Sequence, residues 1–188
     1  MRHPTRQAHN QRRRIFVGCE GDSERGYIAF LAHQLELVHH KVHLDAKLLR
    51  PGGGDPLALM LTAETIVARE ERNREPYERK FLLLDSDKLG QAKARDQQIP
   101  AVVARMDAVL IWQRTAHEAL LLRHLPSCAA RRPPTTALAI QQLQGRWPEY
   151  AKPMSALQLA ARLDQAALRR VAAVEEELRA LFDEIEML

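Results

Sequence analysis

The sequence predicts an α/β fold, with a central, mostly parallel four-stranded sheet flanked by helices and further helices at the C-terminus. Three observations carry this. Short apolar runs alternate with stretches of helical periodicity from residue 15 to residue 125. The run Phe81-Leu82-Leu83-Leu84 is apolar without alternation, as a strand covered on both faces requires. Two apolar runs also end abruptly in acidic turns, Glu20-Gly21-Asp22-Ser23 and Asp85-Ser86-Asp87. Alternating strands and helices are joined by right-handed crossovers and leave the carboxyl edge of the sheet open to ligands, so both turns are predicted at that edge.

Taken in order, Ile15 to Cys19 is the first strand, and a helix begins with Glu24 behind Ser23 as N-cap. Tyr27, Phe30, Leu31, Leu35 and Val38 recur on one helical face, which fades near His39. Val42 to Leu49 alternates as a second strand, with Leu44, Ala46 and Leu48 on one face, until Pro51-Gly52-Gly53-Gly54-Asp55-Pro56 breaks it. The three glycines lack the following Lys of a nucleotide loop and read as a flexible connection. A helix over 57–73, the strand 81–84, a weaker helix over 91–105, a strand over 108–112 and a short helix over 117–125 follow. Residues 126–134 form a proline-rich loop, and helices are predicted over 135–145 and 155–182. The last has Leu157, Ala161, Leu168, Val171, Val174, Leu178, Leu181 and Ile185 on one stripe.

With 188 residues, one domain is expected. No apolar run is long enough for a membrane span, and no apolar segment follows the N-terminal arginines as in a secretory signal, so a soluble cytoplasmic protein is predicted. Cys19 and Cys128 are too few for a disulfide framework or zinc cluster and read as reduced thiols. Charge is polarised: Arg2, Arg6, Arg12, Arg13 and Arg14 are unopposed, whereas residues 175–186 hold six acids against Arg179. An arm over 1–13 is compatible with phosphate contact, and Arg12, Arg13 and Arg14 are the candidate nucleic-acid contacts.

Carboxylates at the ends of adjacent parallel strands converge, which suits a hard cation. Asp85 and Asp87 face the same way if strand geometry continues past Leu84. Mg²⁺ takes one or two carboxylates and completes its shell with water and phosphate. Each acid alone reads equally as a helix cap, and it is the combination of Glu20, Asp85 and Asp87 that favours a metal.

Cys19-Glu20-Gly21-Asp22-Ser23-Glu24, with Tyr27 following, resembles the opening strand and turn of the RloB-like branch of Toprim-domain proteins. Leu83-Leu84-Asp85-Ser86-Asp87 resembles the second Toprim signature, a hydrophobic strand followed by an Asp-x-Asp pair. Residues 114–124 are similar to the family's third block through Glu118, the leucines and His124, without the Pro and aromatic that usually precede the Glu. Trp147-Pro148-Glu149-Tyr150-Ala151-Lys152 is similar to a late Tyr-x-Lys element. The resemblance implies a Toprim-like Rossmannoid domain over 14–155, followed by a C-terminal helix over 156–188 that packs on the domain or a partner, including a second copy of the chain. It further implies a Mg²⁺ (or Mn²⁺) nuclease related to those of the overcoming-lysogenization-defect type, acting on DNA more than RNA, beside an ATPase in anti-phage loci.

On that reading Glu20, Asp85 and Asp87 hold the metal, with Glu24 as a further ligand or simply a helix-dipole partner. Glu20 alternatively acts as general base, Glu118 serves a second ion, and Lys152 neutralises charge on the phosphate. His117 and His124 are secondary candidates for proton transfer, while Trp112, Trp147 and Tyr150 are expected mainly in the core. Two alternatives remain open: a nucleic-acid-binding or ATPase-partner module without turnover, and a flavodoxin-like domain in which Glu20 and Asp85 do not converge.

Overall fold

A computed structural model describes residues 12–38, 41–49 and 54–188. Arg2, Arg6, Gly52 and Gly53 lie outside the described residues. The strands are β1 (Arg13–Cys19), β2 (Val42–Leu48), β3 (Arg79–Asp85) and β4 (Ala108–Gln113), all parallel in the order β2-β1-β3-β4. The helices are α1 (Asp22–Leu37), α2 (Pro56–Glu71), α3 (Lys93–Asp96), α4 (Ile99–Met106), α5 (His117–His124), α6 (Thr136–Gln144), α7 (Ala156–Ala160), α8 (Gln165–Ala172) and α9 (Glu176–Glu184).

Strand alternation sorts the core into two layers. Ile15, Val17, Phe81 and Leu83 pack with α1, α5 and the C-terminal helices, whereas Phe16, Leu82 and Leu84 pack under α2 and α4. β3 is covered on both faces, which explains its uninterrupted apolar run. From β1 the chain winds one way through α1 to β2, then back past β1 through α2 to β3 on the other face. The winding therefore reverses between β1 and β3, and a crevice opens beyond their carboxyl ends.

Local chemistry moves several boundaries. α1 begins two residues earlier than predicted, because extended Gly21 is its N-cap and the Gly21 N–H donates to the Glu24 carboxylate at 3.0 Å. Val38, expected in the core, lies beyond the helix and is 63% exposed. The predicted helix over 91–105 is divided into α3 and α4, and Pro100 falls in the first turn of α4, where its missing N–H costs no hydrogen bond.

The single C-terminal helix predicted over 155–182 is three helices. The side chains of Ser155 and Asp164 cap α7 and α8 by accepting from Gln158 N (3.3 Å) and Ala167 N (2.8 Å). Leu157, Ala161 and Val174 are consequently exposed, while Leu159, Leu163, Leu168, Val171, Leu178 and Leu181 join the core of α1 and α5. Residues 156–188 thus pack on the chain's own domain. Among the described residues, no helix is long and apolar enough to cross a membrane, and both cysteines are free and buried.

The expected arm over 1–13 also shortens, since Arg13 opens β1. Its guanidinium meets Glu78 at 2.9 Å and pairs with Glu184 of α9. Arg14 lies 3.5 Å from Asp45 and 4.2 Å above the Tyr77 ring. These contacts neutralise Arg13 and Arg14 within the fold, at the amino edge of the sheet. Seven strand residues, roughly 20 Å, separate that edge from Glu20. Arg13 and Arg14 are thus engaged in ion pairs at the amino edge, and Arg12 is exposed beside them.

Candidate active site

The ends of three strands supply the centre of the site. Glu20 follows β1, and its Oε2 accepts the Asp85 N–H at 2.9 Å, so Glu20 and Asp85 do converge at the winding reversal. Asp85 ends β3 and Gln113 ends β4. The Gln113 Nε2 donates to Asp85 Oδ1 and to Glu24 Oε1, each at 3.1 Å, while its Oε1 accepts from His117 Nδ1 at 2.5 Å. Glu24 reaches this point from the first turn of α1 and Glu118 lies in the first turn of α5, each favourably placed on a helix dipole. Glu20, Gly21, Ser23, Glu24, Asp85, Lys152 and Pro153 are among the residues lining a cleft of about 310 Å³.

Glu118 is fully buried. Its Oε1 accepts from Lys152 Nζ at 2.5 Å and from the Tyr150 hydroxyl at 3.0 Å, while Oε2 has no hydrogen-bond partner. Lys152 can come this close because α1 carries Gly26 where the 152–155 segment crosses it. A Cβ at Gly26 would lie 2.3 Å from the Met154 carbonyl oxygen.

The carboxylates raise one another's proton affinity. Burial, followed by the charges of Glu24, Glu20 and Glu118, pushes Asp85 up to about 9. Burial also raises Glu20, opposed by its bond from the Asp85 N–H and reinforced by Glu24 and Asp87. Burial acts to raise Glu118 as well, but its bond to Lys152 prevails and holds it below the usual range. Lys152 is raised: the bond and charge of Glu118, with Asp85 and Glu24, outweigh its burial.

Five predicted residues, Glu20, Glu24, Asp85, Glu118 and Lys152, meet here. Asp87 departs from expectation. β3 ends at Asp85, the chain turns, and Asp87 is exposed, felt by Glu20 and Asp85 as a neighbouring charge. His124 is corrected: its Nδ1 donates to the Leu120 carbonyl at 3.0 Å and its Nε2 accepts from Tyr27 at 2.9 Å. Burial drives it down to about 3, so the ring stays uncharged at physiological pH, with its one proton held on Nδ1. His117 is also lowered by burial, and serves to orient Gln113. Trp147 and Tyr150 are buried as expected, but Tyr150 also belongs to the site. Sequence reasoning passed over Tyr150 and Gln113. The signal for Gln113 was its place at the end of β4, matching Glu20 and Asp85 after β1 and β3.

This donor set fits a hard divalent cation in kind: every acidic group offers oxygen, one buried carboxylate oxygen lacks a partner, and the acids outnumber Lys152. Among the described residues, no three His, Cys, Asp or Glu side chains are already gathered as a cation-binding group; Gln113 and Lys152 link the acids instead. Searches of family models, of curated proteins and of solved structures each give no match to this chain.

Proposed function

We propose that this chain is a Mg²⁺- or Mn²⁺-dependent nuclease of the Toprim type, hydrolysing phosphodiester bonds of nucleic acid at the Glu20–Asp85–Glu118 cluster. The observation that carries the reading is the concentration of acidic groups at the carboxyl edge, with the Glu118 Oε2 unpartnered and Asp85 raised to about 9. A divalent cation relieves both conditions, and a phosphate can approach through the adjoining cleft. The RloB-like resemblance of the Glu20, Asp85-Ser86-Asp87 and Tyr150-x-Lys152 segments supports the same chemistry, and extends it to DNA as substrate, an ATPase partner and cytoplasmic anti-phage defence.

Glu20, Asp85 and Glu118 would hold the ion, with Glu24 and Asp87 beside them. When bound, it supplies charge neutralisation at the phosphate and polarises the bond to be broken. Lys152 keeps its charge at neutral pH and would offset negative charge developing on the phosphate. Glu20, with its raised proton affinity, is suited to accept a proton from an attacking water. Gln113 bridges Asp85 and Glu24, and Tyr150 fixes the Glu118 carboxylate.

The second reading is a nucleic-acid-binding or ATPase-partner module without turnover. It draws on the exposure of Asp87 and on the acids being linked through Gln113 and Lys152. One experiment separates the two: incubation of supercoiled, linear, single-stranded and RNA substrates with Mg²⁺ or Mn²⁺, comparing wild type with Asp85→Asn and Glu118→Gln. Metal-dependent cleavage lost in both variants supports the nuclease. Equal background in all three proteins, with nucleic acid still bound, establishes the second reading instead.

A further inference from the structure

We propose that Arg131, Arg146 and Arg162 form the surface that holds a nucleic-acid phosphate backbone beside the acidic site. The proposal rests on the nuclease reading for the identity of the polyanion. The three residues are exposed, and hydrogen bonds connect the segments that carry them. Arg162 Nη2 donates to the Arg146 carbonyl at 3.1 Å, and Arg131 Nη1 reaches Gln142 Oε1 at 3.4 Å, one helical turn before Arg146 at the end of α6.

Their charge is not consumed internally. Arg13, Arg14, Arg25, Arg95, Arg105, Arg123 and Arg132 each face a carboxylate, whereas Arg131, Arg146 and Arg162 have no carboxylate at ion-pair distance among the described residues. The acids nearest to them in sequence, Glu149 and Asp164, set two negative charges against three positive ones.

The chain ties the patch to the chemistry. Six residues lead from Arg146 to Lys152, a reach of at most about 20 Å, and Tyr150 and Lys152 both end on Glu118. That reach corresponds to about six base steps at roughly 3.4 Å each. The segment's aromatics, Trp147 and Tyr150, are only 3% and 5% exposed, so they offer neither a stacking platform for bases nor an anchor for a protein partner. Contact is therefore with phosphate and is independent of sequence.

The test is fluorescence anisotropy of labelled single-stranded and duplex DNA and RNA, with Ca²⁺ replacing Mg²⁺ so that binding is read apart from turnover. The triple variant Arg131→Ala/Arg146→Ala/Arg162→Ala, with folding checked by circular dichroism, is compared with wild type and with Arg72→Ala/Arg74→Ala, exposed between α2 and β3 at the opposite edge. The expected result is a loss of about tenfold or more at low salt for the triple variant, and a log-affinity against log-salt slope shallower by about 2–3. The control double variant keeps the wild-type slope. A triple variant with unchanged slope, an equal loss in the control, or a wild type that binds no nucleic acid overturns the proposal. Wild-type binding with this salt signature but no cleavage removes the nuclease reading alone. Cleavage with an unchanged slope removes this proposal alone.

Discussion

At the scale of single residues, Asp85 links the chemistry to stability. Its proton affinity is raised from an ordinary 3.8 to about 9, first by burial and then by Glu24, Glu20 and Glu118. Between those values the folded chain binds a proton that the unfolded chain does not, so stability falls as pH rises from about 4 towards 9. Removing the ionisable group with Asp85→Asn should flatten that fall and stabilise the metal-free protein by about 1–3 kcal/mol at pH 8. Urea unfolding at pH 5 and pH 8 measures this, and an equal pH dependence in wild type and variant refutes the Asp85 assignment. Lys152 acts in the opposite sense on Glu118. Lys152→Met leaves a buried carboxylate without its cation and should cost about 1–2 kcal/mol, discounted because Lys152 is half exposed. Thermal melts at neutral pH provide the check, and the loss should shrink in acid as Glu118 protonates. The acids at this site were legible in sequence because each follows an apolar run. Gln113 was less so, because an amide at a strand end carries no charge signature, and its importance lies in two acceptors brought from β3 and α1.

At the scale of elements, the strands and the helices between them follow the hydrophobic pattern because burial decides both. β3 is legible from four consecutive apolar residues, each at most 1% exposed. The C-terminal helices were not, because the stripe through Leu157, Val174 and Ile185 is continuous at helical period while the cap at Asp164 and the turn at 173–175 interrupt the backbone. Competing stripes through Leu159, Leu163 and Ala167 then take the core positions. At the site α1 closely approaches the 152–155 segment, as Gly26 allows. In an open helix Gly→Ala stabilises by up to about 1 kcal/mol. Here the added Cβ meets the Met154 carbonyl oxygen at 2.3 Å, so the segment bearing Lys152 must shift. Gly26→Ala should therefore destabilise by about 1–3 kcal/mol and weaken the Lys152–Glu118 pair. A variant as stable as wild type, with an unshifted Lys152 in a crystal structure, contradicts this account.

At the scale of the whole molecule, the question is whether residues 156–188 can be detached from the α/β core. The sequence presented them as a unit that packs on the domain or on a partner, with six acids over 175–186 against Arg179. In the fold the acids face inward contacts as well as solvent. Glu175 meets Arg123 at 2.6 Å beneath the surface, and Glu184 draws in Arg13 and lies 3.4 Å from Arg79 at the amino edge of the sheet. Between them Leu178, Leu181, Phe182 and Ile185 are completely buried. At about 1.5–3 kcal/mol for each fully buried side chain, exposing these four alone costs on the order of 6–12 kcal/mol, comparable with the whole stability of an ordinary domain. Deleting residues 175–188 also strips Arg123, which burial already lowers to about 10, of its carboxylate. Because Arg123 sits on α5 with Glu118, the loss reaches the acidic cluster through one helix. The truncated chain should accordingly lack a cooperative thermal transition and be rapidly degraded in limited proteolysis. A truncated chain that melts cooperatively near the wild-type temperature would instead make residues 175–188 an appendage, with the α/β layers stable without them.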